Sequence, residues 1–143
     1  SVTFHRELKE GEILITAATL VFLRNDSDDS MEIIGKPHSR EEAVEILRRL
    51  SGHSHHVLTG VCLRDRNRTM AFTDSTEVVF RELTDKEINY YIDNYKPFDK
   101  AGAYGVQEWI GLAAITAIKG SYFNVMGLPV HRLYDALCEF CAE

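Results

Sequence analysis

The chain has 143 residues, of which 45% are hydrophobic and 27% are charged, and its formal net charge is −6. This length suits one globular domain with a single core. The acidic balance argues against sequence-independent binding of nucleic acid, which needs a basic surface that neutralises several phosphates. A small polyphosphate needs only two or three local cations, and these can lie in a cleft of an acidic protein.

Two further classes are disfavoured by the residue pattern. The sequence contains no apolar run long enough to cross a membrane and no signal peptide, so we expect a cytoplasmic protein. Its three cysteines, Cys62, Cys138 and Cys141, do not form the pattern of a disulfide framework. Cys138 and Cys141 have the spacing of a zinc or redox motif, but they have no second pair and fall on an apolar helical pattern. We therefore interpret them as packing or tail residues.

The first half of the chain predicts a strand, a polar turn and a helix. Residues 13–23 are almost continuously apolar, which is typical of a strand buried on both faces. Residues 24–32 are polar and predict a hairpin loop or a mobile excursion. Ser39 then begins a helix, with Glu42 at the spacing of a capping box. Its apolar stripe is expected to comprise Ala43, Ile46, Leu47 and Leu50.

The second half alternates strands and helices. Residues 57–63 and 69–80 predict two strands that pair as a hairpin. Thr84 and Glu87 form a second capping box, and the helix that they begin ends before Pro97. The stripe of that helix is expected to comprise Ile88, Tyr91, Ile92 and Tyr95.

A short helix is predicted over residues 106–111, a strand over 112–118, and a last helix after Pro129. The buried stripe of the last helix is expected to comprise Val130, Leu133, Tyr134, Leu137 and Cys141. The mixed order of elements predicts an α/β or α+β fold, with residues 1–143 forming one domain in which helices pack on a twisted mixed sheet.

Residues 98–107 (Phe-Asp-Lys-Ala-Gly-Ala-Tyr-Gly-Val-Gln) have the composition of a binding loop. Opposite charges at Asp99 and Lys100 precede small residues that let a ligand approach the backbone. Gln107 carries both donors and an acceptor, which suits it to reading the edge of a base. Lys36 lies between Gly35 and Pro37, just before a helix, where an anion is favoured. Taken alone, each lysine is more typical of an exposed surface residue than of a phosphate ligand.

Three histidines, His53, His55 and His56, crowd into one predicted loop. Crowded histidines suggest a metal, but their neighbours supply no acidic or thiol partner at the spacing of a zinc site. We therefore interpret His55 as a structural hydrogen-bonding residue near the site.

Four segments, in this order and at this spacing, resemble the Maf (septum-formation) family of nucleotide pyrophosphatases. They are residues 34–37 (Ile-Gly-Lys-Pro), 50–61, 98–107 and 120–129, and the resemblance extends from about residue 13 to residue 137. It implies a Maf/ITPase-like domain that hydrolyses nucleoside triphosphates to monophosphate and pyrophosphate with Mg²⁺ or Mn²⁺. The implied substrates are pyrimidine or modified nucleotides such as dTTP, UTP and CTP.

The resemblance also implies roles for individual residues. Lys36 and Lys100 would contact the phosphates, and Asp99 would position Lys100 or bind the metal ion. Thr19 and Gln107 match residues associated with substrate selection in the family. The expected catalytic group is therefore Lys36, Asp99 and Lys100.

The sequence departs from the family pattern in two places. The family motif Ala-Asp-Thr-Val-Val is replaced by residues 17–21, Ala-Ala-Thr-Leu-Val, so Ala18 occupies the position of the family's proton acceptor. A methyl group cannot accept a proton, and losing a general base commonly costs a factor of about 10² to 10⁴. The family's Ser-x-Ser-Pro-Arg-Arg segment has no counterpart in residues 1–11, which predicts a domain that is N-terminally incomplete relative to the family.

An absent edge strand and helix would leave apolar sheet surface uncovered, so we expect a homodimer. Two alternatives to an active enzyme remain open. One is a nucleotide-binding homologue without turnover, and the other is a structural interaction domain.

Overall fold

A computed structural model describes residues 7–25 and 27–142. The segment of residues 1–11, in which the family's Ser-x-Ser-Pro-Arg-Arg motif has no counterpart, therefore lies partly outside the described residues. Asp26, in the polar segment of residues 24–32, also lies outside them. The strands are β1 (Leu14–Arg24), β2 (Met31–Ile34), β3 (Ser54–Arg64), β4 (Thr69–Phe80) and β5 (Ile115–Lys119). The helices are α1 (Arg40–Leu50), α2 (Asp85–Tyr95), α3 (Trp109–Ala114), α4 (Tyr122–Met126) and α5 (Val130–Cys141), with a 3₁₀ turn at Ala101–Ala103.

The five strands form one sheet in the order β2-β1-β3-β4-β5, and every neighbouring pair is antiparallel. The α+β fold class is confirmed, but the expected mixed sheet is wrong for this part of the chain. The β1–β2 and β3–β4 connections are direct hairpins, which can join only antiparallel strands. The predicted hairpin of residues 57–63 with 69–80 is confirmed. Strand β3 begins earlier than expected, so His55 and His56 lie in the strand and not in a loop.

The helices pack on one face of this sheet. On β3, alternate residues from His55 to Leu63 are buried, while the residues between them are half-buried. One core cluster joins this face to α1 and α2, and a second joins it to α5. The prediction that the first strand is buried on both faces is wrong. Val21 and Leu23 are buried under the helices, whereas Leu20 on the opposite face is 42% exposed.

Strand β1 has an incomplete set of neighbours at its outer edge. Strand β2 pairs only with residues 21–24, while β3 pairs along residues 14–22. Among the described residues, no strand pairs with the outer edge of residues 14–20.

The first two helices follow the prediction. The Ser39 hydroxyl accepts a hydrogen bond from the Glu42 amide, and the whole predicted stripe of α1 is buried. Thr84 and Glu87 form the reciprocal capping box of α2. The stripe of α2 is buried at Ile88, Tyr91 and Ile92, whereas its fourth predicted member, Tyr95, is exposed.

The C-terminal region differs from the prediction in detail. Helix α3 and strand β5 begin about three residues later than expected, and α4 was not predicted. In α5 the buried residues are Leu133, Ala136 and Phe140, so the stripe containing Val130, Tyr134 and Cys141 is wrong. Leu133 belongs to two stripes of helical period, and packing against β3 selects the stripe that ends at Phe140.

Two further features concern possible membrane spans and the three cysteines. In the described part of the chain, no helix combines the length and apolarity needed to cross a bilayer. Cys62, Cys138 and Cys141 are all free thiols; Cys62 is half-buried, whereas Cys138 and Cys141 are exposed.

Candidate functional site

A cavity of about 340 Å³ brings together segments that are far apart in the sequence. They are β1, the loop after β2, the loop between α2 and α3, and the end of α4. The cavity lining includes every residue of the predicted site except Ala18, namely Thr19, Lys36, Asp99, Lys100 and Gln107. The two predicted phosphate-binding lysines thus share one cavity.

A backbone hydrogen bond joins the two loops that carry the lysines. The Gly102 amide donates to the Gly35 carbonyl at 3.2 Å. Gly102 has φ +74°, and a Cβ there would lie 3.2 Å from a methyl carbon of Val21, so both the backbone conformation and the available space favour glycine. The next residue, Ala103, is fully buried with φ +61°, a strained conformation that its surroundings must maintain.

The charged groups of the cavity lie close together. Lys100 Nζ is 3.3 Å from Asp99 Oδ1 and 3.9 Å from Glu108 Oε1. The hydrogen bond from Lys100 lowers the pKa of Asp99, and the charge of Lys36 lowers it further. Asp99 is therefore ionised at neutral pH, and both lysine ammonium groups act on it.

The side chain of Lys100 is packed by residues that the sequence interpretation missed. The Tyr91 hydroxyl donates to Glu108 Oε1 at 2.7 Å and accepts from the Gly105 amide at 3.0 Å. A Cβ at Gly105 would lie 2.7 Å from Glu108 Oε1 and 2.8 Å from Lys100 Cε, so glycine leaves room for both side chains. Burial and the bond to Glu108 raise the pKa of Tyr91, which keeps its hydroxyl protonated. Glu108 directly follows Gln107, a predicted site residue, and this adjacency is the feature of the sequence that could have identified Glu108.

Tyr104 forms the inner wall of the cavity and is held by His55. The Tyr104 hydroxyl lies 2.6 Å from His55 Nε2, and both rings pack edge-on against Phe80. Burial, and secondarily the charge of His56, lowers the pKa of His55 to about 4. His55 is therefore neutral at pH 7, and its interpretation as a structural hydrogen-bonding residue is confirmed. No group of three or more His, Cys, Asp or Glu residues in the described ranges is arranged to hold a metal ion.

Thr19, another residue of the cavity lining, is hydrogen-bonded to the sheet. Its hydroxyl oxygen lies 3.0 Å from that of Thr59, and the Thr59 hydroxyl donates to the Asn124 carbonyl at 3.3 Å. The Asn124 side-chain amide donates to the carbonyls of Val57 and Asp74. Thr59 and Asn124 lie in two of the segments that carry the resemblance, but neither was singled out as a site residue, because their proximity to Thr19 depends on strand register.

Ala18 lies apart from the other predicted residues. It pairs with Gly60 and lines a separate shallow groove of about 480 Å³, together with Thr16 and Cys62. Successive side chains of a strand point to opposite faces, so Ala18 faces away from Thr19. The structure therefore does not bring position 18 into the cavity directly.

An α+β fold in which one cavity collects two lysines, an ionised carboxylate, a hydroxyl and an amide defines a class of protein suited to binding a small polyanion. A family model described as Maf-like protein matches residues 2–140, and the chain belongs to this family.

Named relatives are similar along most of the chain. A dTTP/UTP pyrophosphatase of Porphyromonas gingivalis is 50% identical over 133 residues, which are 93% of this chain and 64% of the relative. A protein of the same name from Christiangramia forsetii is 49% identical over 139 residues, 97% of this chain and 68% of the relative. Another, from Bacteroides thetaiotaomicron, is 51% identical over 130 residues, 91% of this chain and 64% of the relative. The chain thus spans about two thirds of the length of these relatives.

Proposed function

We propose that this protein is a nucleoside triphosphate pyrophosphatase that hydrolyses (d)NTPs to nucleoside monophosphate and pyrophosphate. The proposed substrates are pyrimidine or modified nucleotides such as dTTP, UTP and CTP. The observation that carries the proposal is the shared cavity of Lys36 and Lys100, with Thr19 and Gln107 in the same lining. The names of the similar proteins, dTTP/UTP pyrophosphatases, support the same substrate class.

The cavity has separate chemistry for the two parts of a nucleotide. The ammonium groups of Lys36 and Lys100 attract phosphate oxygens and stabilise charge that develops during cleavage. Thr19 and Gln107 offer the hydrogen-bonding groups that a base edge requires. We therefore propose that the triphosphate binds against the lysines and the base lies toward Thr19 and Gln107.

A Mg²⁺ or Mn²⁺ ion fits this arrangement only if it is shared with the substrate. Asp99 is ionised and its side chain is 79% exposed, so its oxygens are accessible. Glu108, the other carboxylate near Lys100, already accepts the Tyr91 hydroxyl. Mg²⁺ is commonly held by one or two carboxylates together with substrate phosphates. We propose Asp99 as the protein ligand, and the bound ion would neutralise charge on the phosphates.

A nucleotide-binding homologue without turnover is the second candidate. It is favoured by one observation: Ala18 has no carboxylate at the position that the resemblance assigns to the proton acceptor. If that position limits catalysis, Ala18→Asp should raise pyrophosphate release by about 10² to 10⁴, the usual contribution of a general base.

The test is to incubate the protein with dTTP, UTP or CTP and Mg²⁺ or Mn²⁺, and to measure pyrophosphate and monophosphate. Nucleotide affinity is measured in parallel by calorimetry for Lys36→Ala, Lys100→Ala and the matched control Lys86→Ala, an exposed lysine of α2. We expect the first two substitutions to weaken affinity at least tenfold and the control to leave it unchanged. A structural interaction domain predicts no effect of any of the three, and that result would overturn the proposal. Binding without pyrophosphate release, restored by Ala18→Asp, would identify the second candidate.

Two further proposals concern location and assembly. A nucleotide substrate is a cytoplasmic metabolite, so we propose a cytoplasmic location on that ground. We also propose a homodimer. Leu20 and Ile33 on the face of the sheet opposite the helices are 42% and 58% exposed. No strand of the described ranges pairs with the outer edge of residues 14–20, and such an edge can pair with a second chain.

A further inference from the structure

Thr19 is one end of a chain of three hydrogen-bonding groups. Its hydroxyl oxygen is 3.0 Å from the Thr59 hydroxyl oxygen, which in turn is 3.3 Å from the Asn124 carbonyl. A hydroxyl has one proton to donate, and a carbonyl can only accept. The direction of the bond at the carbonyl therefore determines the direction of the other.

Thr59 is completely buried, so its hydroxyl proton must be donated either to Thr19 or to the Asn124 carbonyl. If Thr59 donates to the Asn124 carbonyl, Thr19 donates to Thr59 and both hydrogen bonds form. If Thr59 instead donates to Thr19, no proton remains for the carbonyl and one bond is lost. The first arrangement satisfies more buried groups and is favoured. The Thr19 oxygen then presents only its acceptor lone pairs to the cavity.

The position of the Asn124 carbonyl is fixed by the hydrogen bonds of its side chain. Asn124 is fully buried, and its side-chain amide donates to Val57 O at 3.1 Å and Asp74 O at 3.0 Å, on two neighbouring strands. These bonds anchor α4 to the sheet and keep the Asn124 carbonyl next to Thr59. The preference for one hydrogen-bond direction is therefore built into the sheet.

We propose that Thr59 is a positioning residue that makes Thr19 an acceptor, so that the cavity selects a base with a ring N–H donor. Among pyrimidine bases, uracil and thymine carry this donor at N3, whereas cytosine has an acceptor at N3 and its donor on the exocyclic N4 amine. The selection therefore depends on the Thr19 oxygen facing N3 of the base. The inference rests on the proposed function, because it assigns the base selectivity of the same cavity. It predicts a preference for UTP and dTTP over CTP that depends on a residue outside the cavity lining.

The test compares the affinities of α,β-methylene UTP and α,β-methylene CTP, measured by calorimetry with Mg²⁺. The wild-type protein should bind the UTP analogue about tenfold more tightly, the effect of one hydrogen bond. Thr59→Val removes the hydroxyl at similar volume and frees the Thr19 proton, so the ratio should fall to about two or less. Thr59→Ser retains the hydroxyl and should keep the ratio within about twofold of wild type.

The outcomes are distinguishable. A purely structural role of Thr59 would weaken both analogues equally and preserve the ratio, which would overturn the inference. Equal binding of the two analogues by the wild-type protein would also overturn it, whether or not Thr59→Val folds. If neither analogue binds, the proposed function itself fails.

Discussion

Replacing Tyr91 with phenylalanine removes a hydroxyl that makes two hydrogen bonds to the loop between α2 and α3. The hydroxyl donates to the Glu108 carboxylate at 2.7 Å and accepts from the Gly105 amide at 3.0 Å. A hydrogen bond to a charged group contributes about 1.5–3 kcal/mol and a neutral one about 0.5–1.5 kcal/mol. Because Glu108 is partly exposed, the lower part of the range applies. We expect Tyr91→Phe to lower the free energy of unfolding by about 2–3 kcal/mol.

The measurement is urea unfolding at pH 7, with Tyr95→Phe as the matched control. Tyr95 stacks on Tyr91 with its ring centroid 5.2 Å away, and it is 36% exposed. Its hydroxyl has no hydrogen bond among the described residues, so the control should change stability by less than about 0.5 kcal/mol. Tyr91→Phe should also weaken nucleotide binding several-fold, because Glu108 and Gly105 confine the side chain of Lys100. A stability loss no larger than that of the control would refute this account of the loop.

Three other predictions address pH, capping and assembly. Since the pKa of His55 is lowered to about 4, the unfolded chain binds a proton between pH 6.5 and 4 that the folded chain does not. Stability should therefore fall on acidification by up to about 1.4 kcal/mol per pH unit, and His55→Gln should flatten this slope in urea unfolding at pH 7, 6 and 5. Thr84→Ala should cost about 1 kcal/mol through loss of the capping box of α2, measured by the same method, and an unchanged midpoint would contradict the cap. Light scattering should give twice the monomer mass of 16.3 kDa, with Leu20→Asp shifting it to the monomer, whereas a monomeric wild type at high concentration would contradict the dimer.

Local signals explain which helices could be predicted. The first helix followed from a cap at Ser39 and a stripe that ends at Leu50, and both are properties of adjacent residues. The stripe of α5 could not be chosen locally, because Leu133 fits two stripes and β3 decides between them. The burial of β1 failed for a similar reason. An apolar run shows that both faces of a strand are suited to burial. Which face is actually buried depends on the elements that pack on it.

Some residues of the candidate site could be identified from the sequence, and others could not. Lys36, Asp99, Lys100 and Gln107 belong to contiguous motifs, so the resemblance could identify them, and the cavity brings them together. Thr59 was not identified because it meets Thr19 only through the antiparallel register of β1 and β3. Tyr91 was assigned to an apolar stripe, which is correct for its ring but does not describe its hydroxyl. Partners across the sheet or between helix and loop depend on pairing that the linear pattern does not contain.

Asp99 and a bound phosphate compete for the same ammonium group. Lys100 Nζ is 3.3 Å from Asp99 Oδ1, and the side chains are 35% and 79% exposed. Removing the charge of Asp99 therefore frees Lys100 for the phosphate, at the expense of the proposed protein ligand to the metal ion. The two consequences have opposite signs and can be separated by working with and without the ion.

We expect Asp99→Asn to bind α,β-methylene UTP roughly two- to fivefold more tightly than wild type in EDTA, the modest effect of an exposed ion pair. With Mg²⁺ present, the wild type should gain affinity and Asp99→Asn should gain little, because an amide is a poorer ligand for the ion than a carboxylate. Asp135→Asn, which removes one exposed negative charge on α5, is the control and should behave as wild type in both conditions. An equal Mg²⁺-dependent gain in Asp99→Asn and wild type would exclude Asp99 as the metal ligand. Unchanged affinity in EDTA would instead show that the Asp99–Lys100 pair does not compete with the phosphate.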